Sequence, residues 1–503
     1  MIHDFASVSG PVRLDVDAVV VGSGAGGAAA AYRLQRAGKA VALLEEGAYY
    51  QPSDFHTDSW AAMRQLYRDQ GLRAMVGTMI IPTMQAKCVG GTTLVNSAIC
   101  FRIPDEVLEE WVAQEGLQDL SPDILRPLFE EIEEFLNISP DDEQYLGQNN
   151  LLMRRACQAK GWEGQVIRRN SRGCKGCGLC MSGCIEGAKL STDRTFVPAF
   201  LELGGELYTD CRIEGILVES GKAVGVAGWV LDRKTEQPKH RLEARARAVI
   251  LACGTMGTPV LLQKNRLANS SGLVGKNLCN HTGTGMLGFF EEVVNAWDGV
   301  SQGYCCDQFR KDGFMIESFW APPDVIGIRA PGFGLYHKNL MAKLKHIAGW
   351  GAMIRATSTG TVTARRKGWS PAIKYSMSQR DASLMQKAMK ATADLLFAGG
   401  ARKVTPGIYG LPKELNDPSE TRLIAEANLR PTAFNPIGNH PMGTCRMSER
   451  PGRGVVNSHG ESHDLPNLFI ADASVFPNAP GVNPQVTIMA LAAHFADYIQ
   501  TRI

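Results

Sequence analysis

The densest group of reactive side chains in the sequence is the stretch GCKGCGLCMSGC at residues 173–184. Its four cysteines are Cys174, Cys177, Cys180 and Cys184. Their spacing, C-x2-C-x2-C-x3-C, is the one that bacterial ferredoxins use to hold an iron–sulfur cluster. However, Ile185 replaces the proline that usually follows the fourth cysteine, and no second run exists to share ligands. The run therefore predicts an iron–sulfur cluster, a zinc site, or thiols that are free or partly paired in disulfides.

A second chemical motif lies near the start of the chain, where Gly22-x-Gly24-x-x-Gly27 follows the predicted strand Ala18–Val21. Gly22 permits a sharp turn, Gly24 lets the backbone approach a pyrophosphate, and Gly27 allows close helix–strand packing. The N-terminus of the following helix offers N–H groups to the phosphates. After a second predicted strand, Glu45 is placed to accept hydrogen bonds from a ribose. The motif predicts an ADP-binding β-α-β unit and does not distinguish NAD from FAD.

The elements that position these motifs belong to a chain of 503 residues, which is long enough for two or three domains. Hydrophobic residues make up 44% and charged residues 21%, as in an ordinary globular protein. The net charge of +2 gives no reason to expect nucleic acid or an anionic membrane as a partner. The sequence contains no run of about 18 apolar residues, so we expect no transmembrane helix. No secretory signal is recognisable, so we expect a cytoplasmic protein whose thiols are reduced by default.

Five further stretches follow the glycine motif in a fixed order. They are KCVGGTTLVNSAICFR at 87–102, ILACGTMGTPVLL at 250–262, GLVGKNLCNH at 272–281, PIGNHPMGTCRM at 436–447 and NLFIADASVFPNAPGVNPQVTIMA at 467–490. Together they resemble the glucose–methanol–choline (GMC) oxidoreductases over essentially the whole chain, most weakly over about 300–430. The pattern is most similar to the long-chain-alcohol and cholesterol oxidase-like branches and to the cysteine-rich dehydrogenases.

The resemblance implies that the dinucleotide is FAD. The residues that it assigns to the cofactor are Gly22, Gly24, Gly27, Glu45, Gly90, Gly91, Thr92, Asn96, Ile213 and Asp472. Some relatives attach FAD covalently through a histidine just before the asparagine of the GGTTLVN loop. That position is Val95 here, so we expect FAD to be bound non-covalently.

The resemblance also implies a reaction centre. His440, in NHPMGTCRM, matches the family's catalytic base, and Asn483, in GVNPQVT, matches its partner. The implied reaction is oxidation of an alcohol, in which His440 takes the hydroxyl proton and hydride passes to the flavin N5. Large apolar residues in 313–356 predict a sheet with its own core, and they are compatible with a pocket for a long-chain, aromatic or sterol-like alcohol. The alternative is a lyase, a decarboxylase or a redox-inert FAD-binding protein, because a fold does not fix a function.

The cysteine run has parallels in the same family. Some long-chain-alcohol and sterol-oxidising relatives have a similar loop, and the glucose and sorbitol dehydrogenases hold an iron–sulfur cluster there. A cluster would indicate a dehydrogenase that passes electrons to an acceptor protein or quinone, whereas its absence would favour an oxygen-using oxidase. The three interpretations of Cys174, Cys177, Cys180 and Cys184 stay open at this point.

The predicted fold class is α/β, with a Rossmann-like FAD-binding domain of GMC type and a second, sheet-plus-helix domain for the substrate. We expect the FAD-binding domain to comprise residues 1–105, 190–300 and 430–503. The substrate domain then comprises residues 106–189 and 301–429, including the cysteine run.

Overall fold

Two large sheets organise the chain, and the computed structural model describes all of residues 1–503. The helices are α1 Ala25–Arg36, α2 Ser59–Leu66, α3 Asp105–Glu115, α4 Pro122–Phe135, α5 Gln148–Lys160, α6 Phe196–Glu202, α7 Gly254–Asn265, α8 Pro323–Arg329, α9 Gly334–Ala342, α10 Gln379–Ala398, α11 Arg422–Glu426 and α12 Gln485–Gln500. None of them is both long enough and apolar enough to cross a membrane.

The strands are distributed along the whole chain. They are β1 Ile2–His3, β2 Val12–Val21, β3 Val41–Leu44, β4 Ala74–Val76, β5 Ile80–Pro82, β6 Ile138–Pro140, β7 Gly164–Val166, β8 Arg168–Asn170, β9 Glu206–Tyr208, β10 Cys211–Glu219, β11 Lys222–Leu231, β12 Pro238–Leu251, β13 Cys279–Asn280, β14 Gly283–Phe289, β15 Tyr304–Cys306, β16 Phe314–Ser318, β17 Ile347–Ile354, β18 Thr361–Thr363, β19 Ala372–Lys374, β20 Lys403–Thr405, β21 Pro441–Met442 and β22 Leu468–Ile470.

The first sheet has eight strands in the order β1-β9-β3-β2-β12-β11-β10, with β22 also paired to β12. The pairs from β1 to β12, and the pair of β12 with β22, are parallel. The pairs of β12 with β11 and of β11 with β10 are antiparallel. Strand β3 is buried along its whole length, as expected of a parallel strand covered on both faces.

Helix α1 connects β2 to β3 and is built from small residues. Its sequence AGGAAAAYRLQR lets it pack closely against α12 and against the sheet. A Cβ atom on Gly27 would lie 1.8 Å from the carbonyl oxygen of Gly22, and one on Gly26 would lie 1.8 Å from that of Ala471. Only glycine fits at these two positions, because α1 lies directly against the chain that follows β2 and the chain that follows β22.

The second sheet is antiparallel, with six strands in the order β20-β14-β17-β16-β15-β7. Helices α5 and α10 cover one of its faces and form a core with Phe314, Ile316 and Trp350. The opposite face carries Met315 and Met353, which belong to a separate small apolar cluster. A four-stranded sheet, β18-β19-β4-β5, and the pairs β13-β21 and β6-β8 complete the fold.

The buried apolar side chains form two principal cores, one of 72 residues around the first sheet and one of 41 residues against the second. The predicted class, an α/β FAD-binding fold with a second, sheet-plus-helix part, is confirmed. The segment boundaries given for the two domains stay a prediction.

Candidate active site

The structure places His440 and Asn483 side by side. His440 directly precedes β21, and Asn483 lies two residues before α12. The Asn483 Nδ2 atom and the His440 Nε2 atom are 3.4 Å apart. Asn483 is buried, and its Oδ1 atom has no hydrogen-bond partner in the protein. Leaving a buried amide oxygen without a partner costs free energy. The Asn483 Oδ1 atom is therefore available to accept a hydrogen bond from a group such as a substrate hydroxyl.

His281 lies beside this pair, because β13 pairs with β21 and brings the two histidines to the same edge. The rings of His281 and His440 are 5.6 Å apart, centroid to centroid, and tilted by 69°. The backbone N–H of Gly481 donates to Nε2 of His281 at 2.8 Å. His281 is therefore the acceptor that anchors the loop two residues before Asn483.

Burial controls the charge of both histidines. Removal from water lowers the pKa of His440 from 6.5 to about 4. Burial also lowers the pKa of His281, and its position near His440 and Arg355 lowers it further. Both rings are therefore neutral at neutral pH, and a neutral imidazole is the form that accepts a proton.

Gln485, the first residue of α12, joins this loop to the GGTTLVN loop. Its Oε1 atom accepts from Asn96 Nδ2 at 2.8 Å, and its Nε2 atom donates to the carbonyl of Ile99 at 2.7 Å. Asn96 Oδ1 in turn accepts from the N–H of Ala98 at 2.9 Å. The amide of Asn96 is thus held by the chain itself. Sequence reasoning missed Gln485, and its place two residues after Asn483 was the available signal.

The glycine motif forms a backbone cradle. Gly22 has φ +104° and Gly91 has φ +50°, both in the left-handed region that favours glycine. A Cβ atom on Gly91 would lie 2.9 Å from the Cα of Gly24, so the two glycine loops face each other. Gly24 is the N-cap of α1 and makes no side-chain capping bond. The cradle fits a pyrophosphate held by backbone N–H groups at a helix N-terminus.

The two acids assigned to the cofactor are buried and hydrogen-bonded within the chain. Glu45 accepts from the N–H and hydroxyl of Ser23 at 2.9 and 2.7 Å, and from the N–H of Gly47 at 2.9 Å. Asp472 accepts from the N–H groups of Gly254 and Ser474 at 3.0 and 2.8 Å. Each acid therefore fixes a loop at the carboxyl end of the first sheet, where Glu45 follows β3 and Asp472 follows β22.

The remaining cofactor candidates are Gly90, Thr92 and Ile213. Gly90 has φ +94°, and its N–H donates to the Ser23 hydroxyl at 3.1 Å. Thr92 is exposed, and its hydroxyl accepts from the N–H of Ala86. Ile213 is buried in β10.

An apolar wall adjoins Asn483. It consists of Ile99, Phe101, Ile167, Cys305, Met315, Met353 and Val482, which form one buried cluster. Val482 is the neighbour of Asn483 in the chain, and Met315 and Met353 project from the face of the second sheet opposite to α5 and α10. The wall thus links the His440–Asn483 pair to the second sheet through apolar surface.

One carboxyl group shares the sheet face of Met315. Glu317 is buried, its Oε2 atom accepts from Gln302 at 3.3 Å, and its Oε1 atom has no partner. Burial raises the pKa of Glu317 to about 7, although the charge of Arg310 acts in the opposite direction. The Arg310 guanidinium lies 4.9 Å from the Phe101 ring. Sequence reasoning could not single out Glu317, because its burial depends on strand pairing across the sheet.

The four cysteines of the run line one small cavity together with Arg169 and Lys189. Arg169 donates to Cys180 Sγ at 3.2 Å, and the N–H of Lys189 donates to Cys184 Sγ at 3.3 Å. Burial alone would raise the pKa of the Cys180 thiol, but the charges of Arg169 and Lys189 outweigh it and leave that pKa below its ordinary value. None of the thirteen cysteines is linked in a disulfide. No three His, Cys, Asp or Glu side chains are arranged so that they could hold a metal ion.

The cysteine cavity is connected to the cofactor loop through Lys189. Lys189 is 2% exposed, and its ammonium donates to the carbonyls of Asn96 and Cys180 at 2.7 and 2.9 Å. Arg169 is 1% exposed and donates to the carbonyl of Ser97 at 3.0 Å and to Asp141. Two buried cations thus tie the run to residues 96–97.

Comparison with known proteins gives matches along most of the chain. Family models described as GMC oxidoreductase match residues 63–283 and 356–492, and an FAD binding domain matches residues 17–58. An uncharacterized GMC-type oxidoreductase of Mycobacterium tuberculosis is 33% identical over 502 residues, which is 99% of this chain and 78% of that protein. A long-chain-alcohol oxidase of Arabidopsis thaliana is 28% identical, over 97% of this chain and 69% of that protein.

Among solved structures, pyridoxine 4-oxidase from Mesorbium loti superimposes with a TM-score of 0.69 at 18% identity. The match covers 96% of this chain and 98% of that one, so the whole fold is shared. The glycine cradle, the paired loops at its rim and these matches agree, and the chain belongs to the GMC oxidoreductase family of FAD-dependent oxidoreductases.

Proposed function

We propose that the protein oxidises an apolar alcohol to an aldehyde or ketone, with His440 as the base and Asn483 as its partner. The observation that carries this proposal is the 3.4 Å approach of Asn483 Nδ2 to His440 Nε2, with the buried Asn483 Oδ1 left without a partner. A substrate hydroxyl can donate its proton to a neutral His440 while Asn483 orients the oxygen.

FAD is held by the backbone cradle of Gly22, Gly24 and Gly91 in this proposal. The uncapped N-terminus of α1 and the close approach of the two glycine loops support it. The remaining cofactor residues, among them Glu45 and Asp472, hold the loops that border the cradle. Val95 is buried at the position where some relatives carry a histidine, so the binding is non-covalent. When bound, FAD supplies the acceptor for the hydride at its N5 atom.

His440 begins the reaction as a neutral imidazole. Because burial holds its pKa near 4, the imidazole is neutral and free to accept the hydroxyl proton at pH 7. The protonated ring is then disfavoured by the same burial, so the proton must leave for the next turnover. Asn483 is neutral at every pH and can both donate to the substrate oxygen and accept from its hydroxyl.

The substrate class follows from the wall beside Asn483. Phe101, Met315 and Met353 belong to this buried apolar wall, and methionine side chains adapt to varied shapes. This surface suits a long-chain, aromatic or sterol-like alcohol better than a sugar. The long-chain-alcohol oxidase of Arabidopsis thaliana among the relatives supports the same substrate class.

The test compares His440→Ala with the unchanged protein under anaerobic conditions. The variant is expected to bind yellow FAD at the normal ratio and to lose substrate-driven flavin reduction. His463→Ala is a matched control, because His463 bonds to the carbonyl of Ser448 and lies outside the pair. Reduction of the His440→Ala protein at a near-normal rate would overturn the assignment.

The electron acceptor depends on Cys174, Cys177, Cys180 and Cys184. As arranged here they do not form a ligand set, and the bonds from Arg169 and Lys189 fit thiols or a Cys180 thiolate. An iron–sulfur cluster or a zinc ion there stays a prediction from the spacing. Iron, zinc and labile-sulfide analysis of anaerobically purified protein decides it: a cluster supports a dehydrogenase with a protein or quinone acceptor, and free thiols support an oxidase that uses oxygen.

A lyase, a decarboxylase or a redox-inert FAD protein is the second candidate, and no feature of the site favours it over alcohol oxidation. The location of the protein in the cytoplasm also stays a prediction.

A further inference from the structure

Three exposed apolar side chains lie where α8 leads into α9: Ile328 in α8, Phe333 in the turn between the helices, and Leu335 at the start of α9. Ile328, Phe333 and Leu335 are 80%, 89% and 76% exposed, and they lie within eight residues of one another in the chain. Large apolar side chains this exposed are uncommon, and a cluster of them marks an interaction site. We name Ile328, Phe333 and Leu335 together the α8–α9 knob.

The backbone holds this knob outward. Phe333 lies between Gly332, with φ +86°, and Gly334, with φ +62°, so two left-handed glycines shape the turn. A Cβ atom on Gly332 would lie 2.4 Å from the Tyr336 ring, so the turn is packed tightly against α9. The exposed Phe333 ring is thus carried on a structured turn.

Basic side chains lie close to the knob in the chain. Residues 323–346 contain four Lys or Arg residues and one Asp, a local net charge of +3 in a chain whose net charge is only +2. Lys338, Lys343 and Lys345 are exposed, and none of them forms an ion pair. On α9, Leu335, Lys338 and Ala342 are exposed at helical spacing and share one face. The small net charge of the whole chain therefore does not reveal that residues 323–346 form a basic and apolar surface.

The same element lies against the segment that leads to His440. Arg329, at the end of α8, donates through Nη2 to the Asn435 side chain at 3.2 Å and to the carbonyl of Pro436 at 3.3 Å. His440 follows four residues after Pro436. Helix α8 is therefore hydrogen-bonded to the segment that directly precedes the candidate base.

We propose that the α8–α9 knob docks the protein on the surface of an anionic phospholipid bilayer. Apolar side chains that enter the acyl boundary, together with unpaired lysines that attract anionic headgroups, are the features of a peripheral membrane contact. A second copy of this chain is a poor occupant, because a symmetric contact would place one net charge of +3 against another. The proposal concerns binding alone and holds whatever alcohol the enzyme oxidises.

The test is co-sedimentation of the FAD-loaded protein with vesicles. Binding is expected to vesicles of phosphatidylcholine mixed with phosphatidylglycerol, to weaken with added salt, and to be much weaker with phosphatidylcholine alone. The double variant Phe333→Asp, Leu335→Asp is expected to partition at least about tenfold less, since it removes the apolar anchor and adds two negative charges. Its flavin content and its anaerobic reduction by a dissolved alcohol should be unchanged.

A matched control is Leu203→Asp, because Leu203 is 45% exposed at the end of α6 and lies far from α8 in the chain. It should bind vesicles like the unchanged protein. The proposal is overturned if the unchanged protein does not bind mixed vesicles, or if the double variant binds them equally well. It is also overturned if the knob instead holds two copies together, which would appear as a dimer that the double variant dissociates.

Discussion

The depressed pKa of His440 makes a prediction that separates it from an ordinary histidine. With a pKa of about 4, roughly one ring in a thousand is protonated at pH 7, against about one in four at the ordinary value of 6.5. The difference of 2.5 pH units corresponds to about 3 kcal/mol between the two protonation states. The rate of flavin reduction at low substrate should therefore show no loss from His440 between pH 8 and about 5.5.

The assay is anaerobic stopped-flow reduction of bound FAD by a long-chain primary alcohol across this pH range. Glu317 complicates the profile, because burial raises its pKa to about 7 and it faces the same apolar wall. The Glu317→Gln variant removes that titration and leaves His440 in place. In this variant the profile should be flat above pH 5.5.

An acid limb with an apparent pKa near 6.5 that persists in Glu317→Gln would refute the argument, since it would show that burial does not depress the pKa of His440. The depressed pKa of His440 should also make the stability of the folded chain depend on pH. The unfolded chain binds a proton at His440 below pH 6.5, whereas the folded chain resists it until about pH 4. In Glu317→Gln, where the opposing contribution of that carboxyl group is absent, the free energy of unfolding should therefore decrease as the pH falls from 6.5 to 4.

Three substitutions test the rest of the site. Asn483→Ala should keep its FAD and slow flavin reduction at least about tenfold, through loss of a hydrogen bond to the substrate; an unchanged rate in stopped flow would count against its role. Gln485→Leu should lower the unfolding free energy by about 1–3 kcal/mol in denaturant titrations, because it breaks the bond to Asn96 and orphans that amide. Gln500→Leu, on the same helix, should change it little. Gly27→Val should purify without FAD, because a Cβ there overlaps a backbone oxygen, whereas Gly10→Ala, with open space around it, should retain FAD.

The parts of the fold that the sequence could predict are those set by local spacing. The strand, glycine turn, helix and second strand at 18–45 follow from residue order alone, and the structure has β2, α1 and β3 there. The NHPMGTCRM and GVNPQVT stretches pointed to His440 and Asn483, and the structure brings these side chains within 3.4 Å. Their catalytic roles are still predictions.

Contacts that depend on long-range pairing were out of reach. The hydrogen bond between Gln485 and Asn96 joins residues that are 389 positions apart in the sequence. The burial of Glu317 follows from the register of β16 against β17. Likewise the cysteine spacing is compatible with an iron–sulfur cluster, a zinc site or thiols, and it could not show that Arg169 and Lys189 pack against the run. Local patterns indicate which residues belong to a motif, whereas tertiary packing decides which polar side chains lack a hydrogen-bond partner.

The central claim, that this site oxidises apolar alcohols, is tested most directly by anaerobic titration of the FAD-loaded protein with primary, secondary and sterol alcohols. The visible absorbance of the bound flavin should bleach with at least one long-chain, aromatic or sterol alcohol, and more readily than with a sugar. Absence of bleaching across the whole panel would contradict the claim and would favour a lyase or a redox-inert FAD protein.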